Sequence, residues 1–471
     1  MLARDEALER AREFSSRLGV PVAEASGRPE LLVATGHQPE LYHPGVWVKD
    51  FLLQRLGDSL GAASLDLVVD SDGFESVGIH SPCLRPDVRV CRAYLAVGVQ
   101  DGCYRCAPVP SEHDLREFRQ AGREQLATLP TPSIARHFER FCDEMDGAAP
   151  EAANLAELVT FARRRYEAPT GTDYLELPVS SLAGSRAFAT FVAQIAFDAR
   201  AFADAYNAAL AAYRERTGAR SAAQPFPDLE SAGDAIELPL WSLGTGRRAV
   251  WVRTGPSRAL MSGDEVLCEL GDDPASAVAR LLESGVALAP KALALTLFTR
   301  LLVADLFIHG VGGGRYDQVT DDVARRYFGV DLPAFTVASL TVYLPLGAHV
   351  VSDGEIEEVE MALNRLTHNP DQALPDVEFD SVEEAECAET LAGEKRDLVA
   401  AIAAPGADKK SLGLQIRAVN ADLSEILAPI RADLTARRDH LLQLRDAREV
   451  LIDRTYPFCF WDPADIADKA R

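Results

Sequence analysis

Two short segments hold most of the residues in this chain that could do chemistry. The first is Gly36-His37-Gln38-Pro39, followed by His43-Pro44-Gly45 and then Lys49. The second is His309-Gly310-Val311-Gly312-Gly313-Gly314-Arg315-Tyr316-Asp317. Both combine imidazoles and a cation with backbone stripped of side chains. Glycine lets a ligand or another backbone come close. Amides at the start of a helix hold anions such as phosphate. An imidazole can donate to a developing oxyanion, and a lysine one turn into the helix can neutralise its charge. The expected chemistry is nucleotide binding. Gly36, Gln38, Lys49, His309, Gly312, Gly313, Gly314, Arg315, Tyr316 and Asp317 are the expected ligand contacts, and His37 and His43 the phosphate-side catalytic groups. Asp70 and Asp72, in Asp70-Ser71-Asp72-Gly73, supply carboxylates for ribose, magnesium or a substrate amine. Plainer roles stand beside these: a turn at Asp70–Gly73, a helix cap at Asp317, and a His43 held by a backbone carbonyl.

Such groups need a frame. Leu31 to Ala34 reads as a short buried strand, and Val46 to Leu60 as a helix with Trp47, Phe51, Leu52 and Leu56 on one face. Leu65 to Val69 is a second strand. Strand, helix and strand at this spacing form a βαβ unit. Leu301 to Val311 reads as another strand, with a helix from about Gln318 to Phe328, a helix opened by Pro290 before it, and a strand over Ser339 to Leu346. Ligands of open parallel sheets bind where strand C-termini feed helix N-termini. The two motifs should therefore meet at one sheet edge.

The rest of the chain reads as insertions and appendages. Leu2 to Leu18 is helical in pattern. Residues 76–110 look like β structure, Leu115 to Arg165 like helices broken at Pro130 and Pro132, and Phe188 to Arg214 like one long helix. A polar break spans 222–228, and Glu237 to Val252 alternates as strands around Gly244-Thr245-Gly246-Arg247. From Asp353 the texture is helical and acidic. Leu412, Ile416, Val419, Leu423, Ile426 and Ile430 form a heptad seam that Leu391, Leu398 and Ile402 could meet across a hinge at Ala404–Asp408, with Pro429 kinking the second arm. The expected division is a parallel-sheet core over 1–351 with inserted segments at about 76–270, a helical coiled-coil hairpin over 352–450, and a tail over 451–471 that packs back on the core.

Composition narrows the function. The chain has 471 residues, 47% hydrophobic and 25% charged, with net charge −24. That charge argues against a general nucleic-acid binder. The most apolar stretch, Ala287 to Val311, carries Lys291, Arg300 and Asp305, so no membrane span is expected. Asp305 needs a partner, and Arg300 or Lys291 is at hand. Lys291 and Arg300 could instead face anions, or snorkel to solvent. The charged start lacks a secretory pattern, and the expected compartment is the cytoplasm. Among eight cysteines, Cys83, Cys91, Cys103 and Cys106 cluster. We read them as unlinked reduced thiols, with a zinc site including His80 or a Cys103–Cys106 redox pair as alternatives.

The Gly36-His37-Gln38-Pro39 turn, with Gly45 and Lys49 after it, resembles the first-strand motif of the cysteine-adding ligases of bacillithiol biosynthesis. There a Gly-Gln-Gln-Pro turn precedes Gly-Pro and a helical Lys. Asp70 to Glu75, the Tyr206 to Tyr213 helix, Lys291 to Gly314 and the late helical hairpin are similar in order to that family's segments over nearly the whole chain. The resemblance implies an α/β, Rossmann-like core akin to class I aminoacyl-tRNA synthetases and nucleotidyltransferases, and a coiled coil that makes a homodimer. It also implies a ligase joining cysteine to the amine of a glucosaminyl-malate, with carboxyl activation by ATP or another adenine nucleotide as the obvious route and Mg2+ a possible companion of the nucleotide. His37 replaces a Gln of the family pattern, and Asp70 to Glu75 lacks its His. A non-catalytic nucleotide or metabolite binder and a nucleotidyltransferase with another acceptor are the alternatives.

Overall fold

The computed structural model describes residues 2–23, 29–84, 88–218, 227–346, 351–377, 379, 381–404 and 407–470. Residues 222–226 of the expected polar break, and Pro405 and Gly406 of the expected hinge, lie outside them. The chain forms two compact units, 1–345 with 454–471, and 346–453.

The larger unit is built on five parallel strands: β1 (Leu32–His37), β2 (Ala63–Val68), β3 (Leu175–Pro178), β4 (Leu306–His309) and β5 (Phe335–Val337). Their order is β5-β4-β1-β2-β3. The chain steps outward from β1 through β2 to β3, then returns to β1's other side for β4 and β5. The direction of winding therefore reverses between β1 and β4, which opens a crevice at their carboxyl ends. β1 is buried on both faces, as strands of covered parallel sheets are. Leu32 and Ala34 join the main core, and Val33 packs with Leu53, Tyr174 and Ile308.

The β1–β2 connection is helix α2 (Pro44–Leu60), α1 being the N-terminal helix Leu2–Ser15. Pro44 sits in α2's first turn, where no amide partner is lost. Gly61 ends the helix with φ +61°, a left-handed stop natural to glycine. An insertion between β2 and β3 comprises a hairpin (Ser76–Cys83, Arg89–Val97) and three helices, of which the last, α3 (Leu155–Glu167), returns to the sheet. After β3, the pattern expected as one helix over 188–214 is two, Arg186–Phe197 and Ala199–Thr217, separated at Asp198. An antiparallel sheet follows, in which Ala235–Leu243 pairs with both Arg247–Arg253 and Leu288–Pro290.

Around the second motif the structure corrects four expectations. Pro290 lies in a strand, and helix α4 (Ala292–Leu302) starts after Lys291. β4 is only Leu306–His309. The next helix, α5 (Val311–Val323), begins before the glycines, so they form its first turn and not a loop. Residues 339–346 are not a strand; β5 precedes them. Asp305 takes neither expected partner. It accepts from the Leu32 amide (2.7 Å) and pairs with Arg4 (2.8 Å). The tail 454–471 belongs to the larger unit. Its Phe458 amide donates to the Tyr42 carbonyl (2.7 Å), and the ring packs against Tyr42, Trp47, Phe141 and Tyr166.

The smaller unit holds helices α6 (Asp353–His368), α7 (Val382–Ile402), α8 (Lys409–Ile426) and α9 (Ala428–Asp446). Val419 and Leu423 of the seam are buried with Ala388, beside Leu391, Leu398 and Ile426. Pro429 does not kink an arm. It stands in the first turn of α9, a new helix that carries Ile430 away from the seam. Ile356, Val359 and Leu441 make a second core between α6 and α9.

Candidate functional site

A cleft of about 620 Å³ opens at the crevice between β1 and β4, within the range of roughly 300–1,000 Å³ typical of small-molecule sites. Gly36, His37, Gln38, His43 and Lys49 line one side, and His309, Gly312, Gly313, Tyr316 and Asp317 the other. The two motifs thus share one cavity. Its ionic lining is Lys49, Arg247, Lys291 and Arg454 against Asp72 and Asp317, a local cationic excess in a chain of net charge −24.

α5 starts at the cleft without a side-chain cap: Gly310 is its N-cap. The first helical bond is Gly314 N–H to the Gly310 carbonyl, 3.0 Å. The Val311, Gly312 and Gly313 amides therefore have no intrahelical partner, and the dipole adds positive charge there. The glycines have distinct reasons. A Cβ on Gly313 would meet His309 Nδ1 at 2.8 Å, and one on Gly314 would collide with Val337. A Cβ on Gly310 or Gly312 would meet nothing within 4 Å. Packing fixes the first two, and the latter two leave open space at the helix mouth.

His309 is locked in place. Its Nε2 lies 2.8 Å from Asp317 Oδ2, which also accepts from Arg300 Nη1 at 2.6 Å. Arg300 further pairs with Asp321 at 2.8 Å, so it is neither snorkelled nor facing the cleft. Asp317 Oδ1 is buried without a hydrogen-bond partner among the described residues.

On the opposite side, Lys49 is 2% exposed. Its Nζ donates to the Gly36 carbonyl (3.0 Å) and Thr35 Oγ1 (3.3 Å). Among the described residues no carboxylate forms an ion pair with it. Burial lowers its pKa, opposed by Asp50 and Asp66. His37 ends β1 with Nδ1 3.2 Å from the Gln38 carbonyl and its ring edge-on to Tyr42. Burial, with the Lys49 ammonium second, pushes its imidazole down to about 3, so it is neutral at physiological pH, with its one N–H on Nδ1 toward the Gln38 carbonyl and Nε2 left as an acceptor. His43 fills the helix-capping role: its Nδ1 accepts from the Gly45 amide at 3.0 Å.

The two strand-end aspartates part company. Leu67, Val69 and Ser71 face the cleft, whereas Val68 and Asp70 line a separate cavity of about 300 Å³, as the two-residue period of an extended chain requires. Asp70 accepts from the Ser180 amide (2.9 Å) and hydroxyl, and burial raises its carboxyl to about 6 despite those bonds. Asp72 is in the cleft, held by Gln38 Nε2 (2.9 Å) and Arg247. Gly314 and Arg315 do not line the cleft; Arg315 is exposed on α5.

Sequence reasoning missed Trp241, Arg247 and Arg454. Trp241 lies in the cleft wall with the Arg247 guanidinium carbon 4.5 Å and Lys291 Nζ 4.4 Å from its ring centroid. Lys291 also pairs with Glu237 at 2.5 Å. The Gly-flanked Arg247 beside an alternating strand was the available signal. Also missed was a buried ionic hub behind the cleft, in which Arg163 pairs with Asp50 (2.8 Å), Asp66 (3.1 Å), Glu167 (3.2 Å) and Glu176 (2.6 Å). Burial raises Asp50 to about 7.

The cysteines depart from the expected free thiols. Cys83 is bonded to Cys91 and Cys103 to Cys106. Among the described residues no three His, Cys, Asp or Glu groups gather to hold a metal ion, and no helix is long and apolar enough to cross a membrane. No protein-family model matches this sequence, and a search of curated proteins returns no significant match.

Proposed function

We propose that this chain is an ATP-dependent ligase joining cysteine, or a related amino acid, to an amine acceptor such as a glucosaminyl-malate, in low-molecular-weight thiol biosynthesis. The observation that carries the proposal is the cleft at the winding reversal, where the uncapped start of α5 faces a buried Lys49 without an ion pair. Phosphates would lie between the α5 amides and Lys49. Neutral His37, its one N–H held on Nδ1 by the Gln38 carbonyl, would accept at Nε2 from a donor on the ligand. Trp241, with its flanking cations, would border the base or the acceptor. Magnesium would arrive on the nucleotide, with Asp72 a carboxylate in the cleft that could meet it. The site would act in the cytoplasm, and the smaller helical unit would carry dimer contacts through apolar side chains such as Leu414, 58% exposed.

The test is pyrophosphate or phosphate release from ATP with a panel of amino acids, cysteine first, and a glucosaminyl-malate acceptor. Amino-acid-dependent release supports the ligase. A second reading, a nucleotide or metabolite binder without turnover, draws on one observation: Asp72 is already neutralised by Arg247, and Asp70 faces another cavity. Tight ATP binding with no release for any amino acid would favour it. Release with a different acceptor would favour a nucleotidyltransferase.

A further inference from the structure

Cys103-Tyr104-Arg105-Cys106 forms a tight turn whose two sulfurs are bonded, with Cα atoms 4.9 Å apart. The proposed ligase chemistry has no use for it. The two cysteines are chemically unequal. Cys103 is fully buried, and Cys106 is partly exposed. The Cys106 amide donates to Cys103 Sγ at 3.2 Å. Cys106 is thus the member open to an incoming thiolate. The S–S electron pair then leaves on Cys103, where that amide stabilises the thiolate.

The turn is also tied to the cleft wall. The Tyr104 amide donates to the Asp72 carbonyl (3.1 Å), and the Arg105 amide to the Asp70 carbonyl (2.9 Å). The Tyr104 ring stacks on Phe74 at 4.7 Å, and its hydroxyl donates to Glu40. Just before the turn, the Asp101 carbonyl accepts from the Arg247 amide at 2.7 Å. Residues 101–105 therefore hold both members of the Asp72–Arg247 pair through their backbones.

We propose that Cys103–Cys106 is a thiol–disulfide exchange site, reacting with small thiols, that sets the order of the Asp72–Arg247 wall. The first thiolate attacks Cys106 Sγ, forming a mixed disulfide and releasing Cys103 as a thiolate that takes up a proton. A second thiolate attacks the reagent sulfur of the mixed disulfide, releasing Cys106 and forming the reagent disulfide. Two thiols are oxidised and one protein disulfide is reduced. The Cys83–Cys91 pair bridges the hairpin strands, and neither cysteine lines the cleft, so it serves as the internal comparison.

The test equilibrates the full chain in graded mixtures of reduced and oxidised glutathione, quenches with acid, and maps free thiols by differential alkylation and peptide mass spectrometry. Hydrogen exchange is then compared between the end states. The expected result is a joint transition of Cys103 and Cys106, with amides 70–75 exchanging about tenfold faster in the dithiol form, within the range of ordinary coupling between sites. A Cys103→Ser/Cys106→Ser double variant should exchange like the dithiol form. A pair that stays in one state across the whole series, or equal exchange at 70–75 in both states, would overturn the proposal. Neither readout uses a nucleotide, so failure of the ligase reading would leave this result unaffected.

Discussion

Replacing Lys49 with methionine separates a binding role from a bracing role. The side chain is 2% exposed and forms no carboxylate ion pair among the described residues. Methionine keeps most of its length and loses two hydrogen bonds from a charged donor, at 3.0 and 3.3 Å. Those bonds together contribute about 3 kcal/mol, while keeping an ammonium out of water costs several kcal/mol. The ligand-free variant should therefore be as stable as the parent, or more stable by up to about 2 kcal/mol. The pH dependence has a definite sign. Because burial lowers the folded value below the ordinary 10.5, the folded chain gives up this proton before the unfolded chain does. Parent stability thus gains from this group as pH rises toward 10.5, and the variant lacks that gain. Binding moves the other way. Truncating one side of a buried charge pair costs about 2–5 kcal/mol, which is about 30- to 4,000-fold in Kd. Urea titrations at several pH values, with calorimetric titration of ATP, measure both. Unchanged ATP affinity together with a loss of more than about 3 kcal/mol, more than those two bonds supply, would refute the reasoning and make Lys49 a strut for the end of β1.

Four further outcomes follow from the same geometry. His37→Gln should flatten the acid side of the stability curve. The imidazole sits at about 3 in the fold against an ordinary 6.5, so stability falls as pH drops from 6.5 toward 3. Solvent in the cleft limits that loss to no more than about 4 kcal/mol, readable by chemical denaturation at each pH. Gly312→Val should fold with stability changed by under about 1 kcal/mol but bind ATP more weakly, whereas Gly314→Val, which meets Val337, should lose about 1–3 kcal/mol or more by thermal melting. Arg163→Met leaves four carboxylates without their shared cation and should cost about 3–5 kcal/mol, more at pH 8 than at pH 5, by urea titration. Phe458→Ala, at a fully buried ring, should cost about 3–5 kcal/mol and expose the tail to limited proteolysis.

Local signals located β1, α2 and β2 because each was self-contained. An apolar run over 31–34, a one-faced helical pattern over 46–60 and a second apolar run over 65–69 fix a βαβ unit without outside help; the Pro44 start and Gly61 stop came with the structure. The sequence put His37 in the turn after the first strand and His309 near the end of a strand over 301–311, and the structure places both at the last residue of paired strands β1 and β4. Elements set by tertiary packing were less legible. β3 is four residues long, too short for a periodic pattern. The Gly312–Gly314 run looks like a loop to propensity, yet it is the first turn of a helix in which His309 and Val337 leave no room for side chains at Gly313 and Gly314. Pro429 reads as a kink or as a start, and only the packing of Leu427 and Ile430 decides it. Asp70 and Asp72 look equivalent in sequence, and the turn over 70–72 that breaks the two-residue period of the strand sends them to different cavities. Arg163 gave no warning, because its four partners come from three other elements as well as its own helix.

The central claim is that the β1–β4 crevice holds an adenine nucleotide. Photo-crosslinking with azido-ATP, with and without competing ATP, followed by peptide mapping, tests it directly. The account predicts competed labelling confined to peptides bearing 36–49, 241–247 or 309–317. Absence of competed labelling, or labelling confined to peptides outside the cleft, would contradict it.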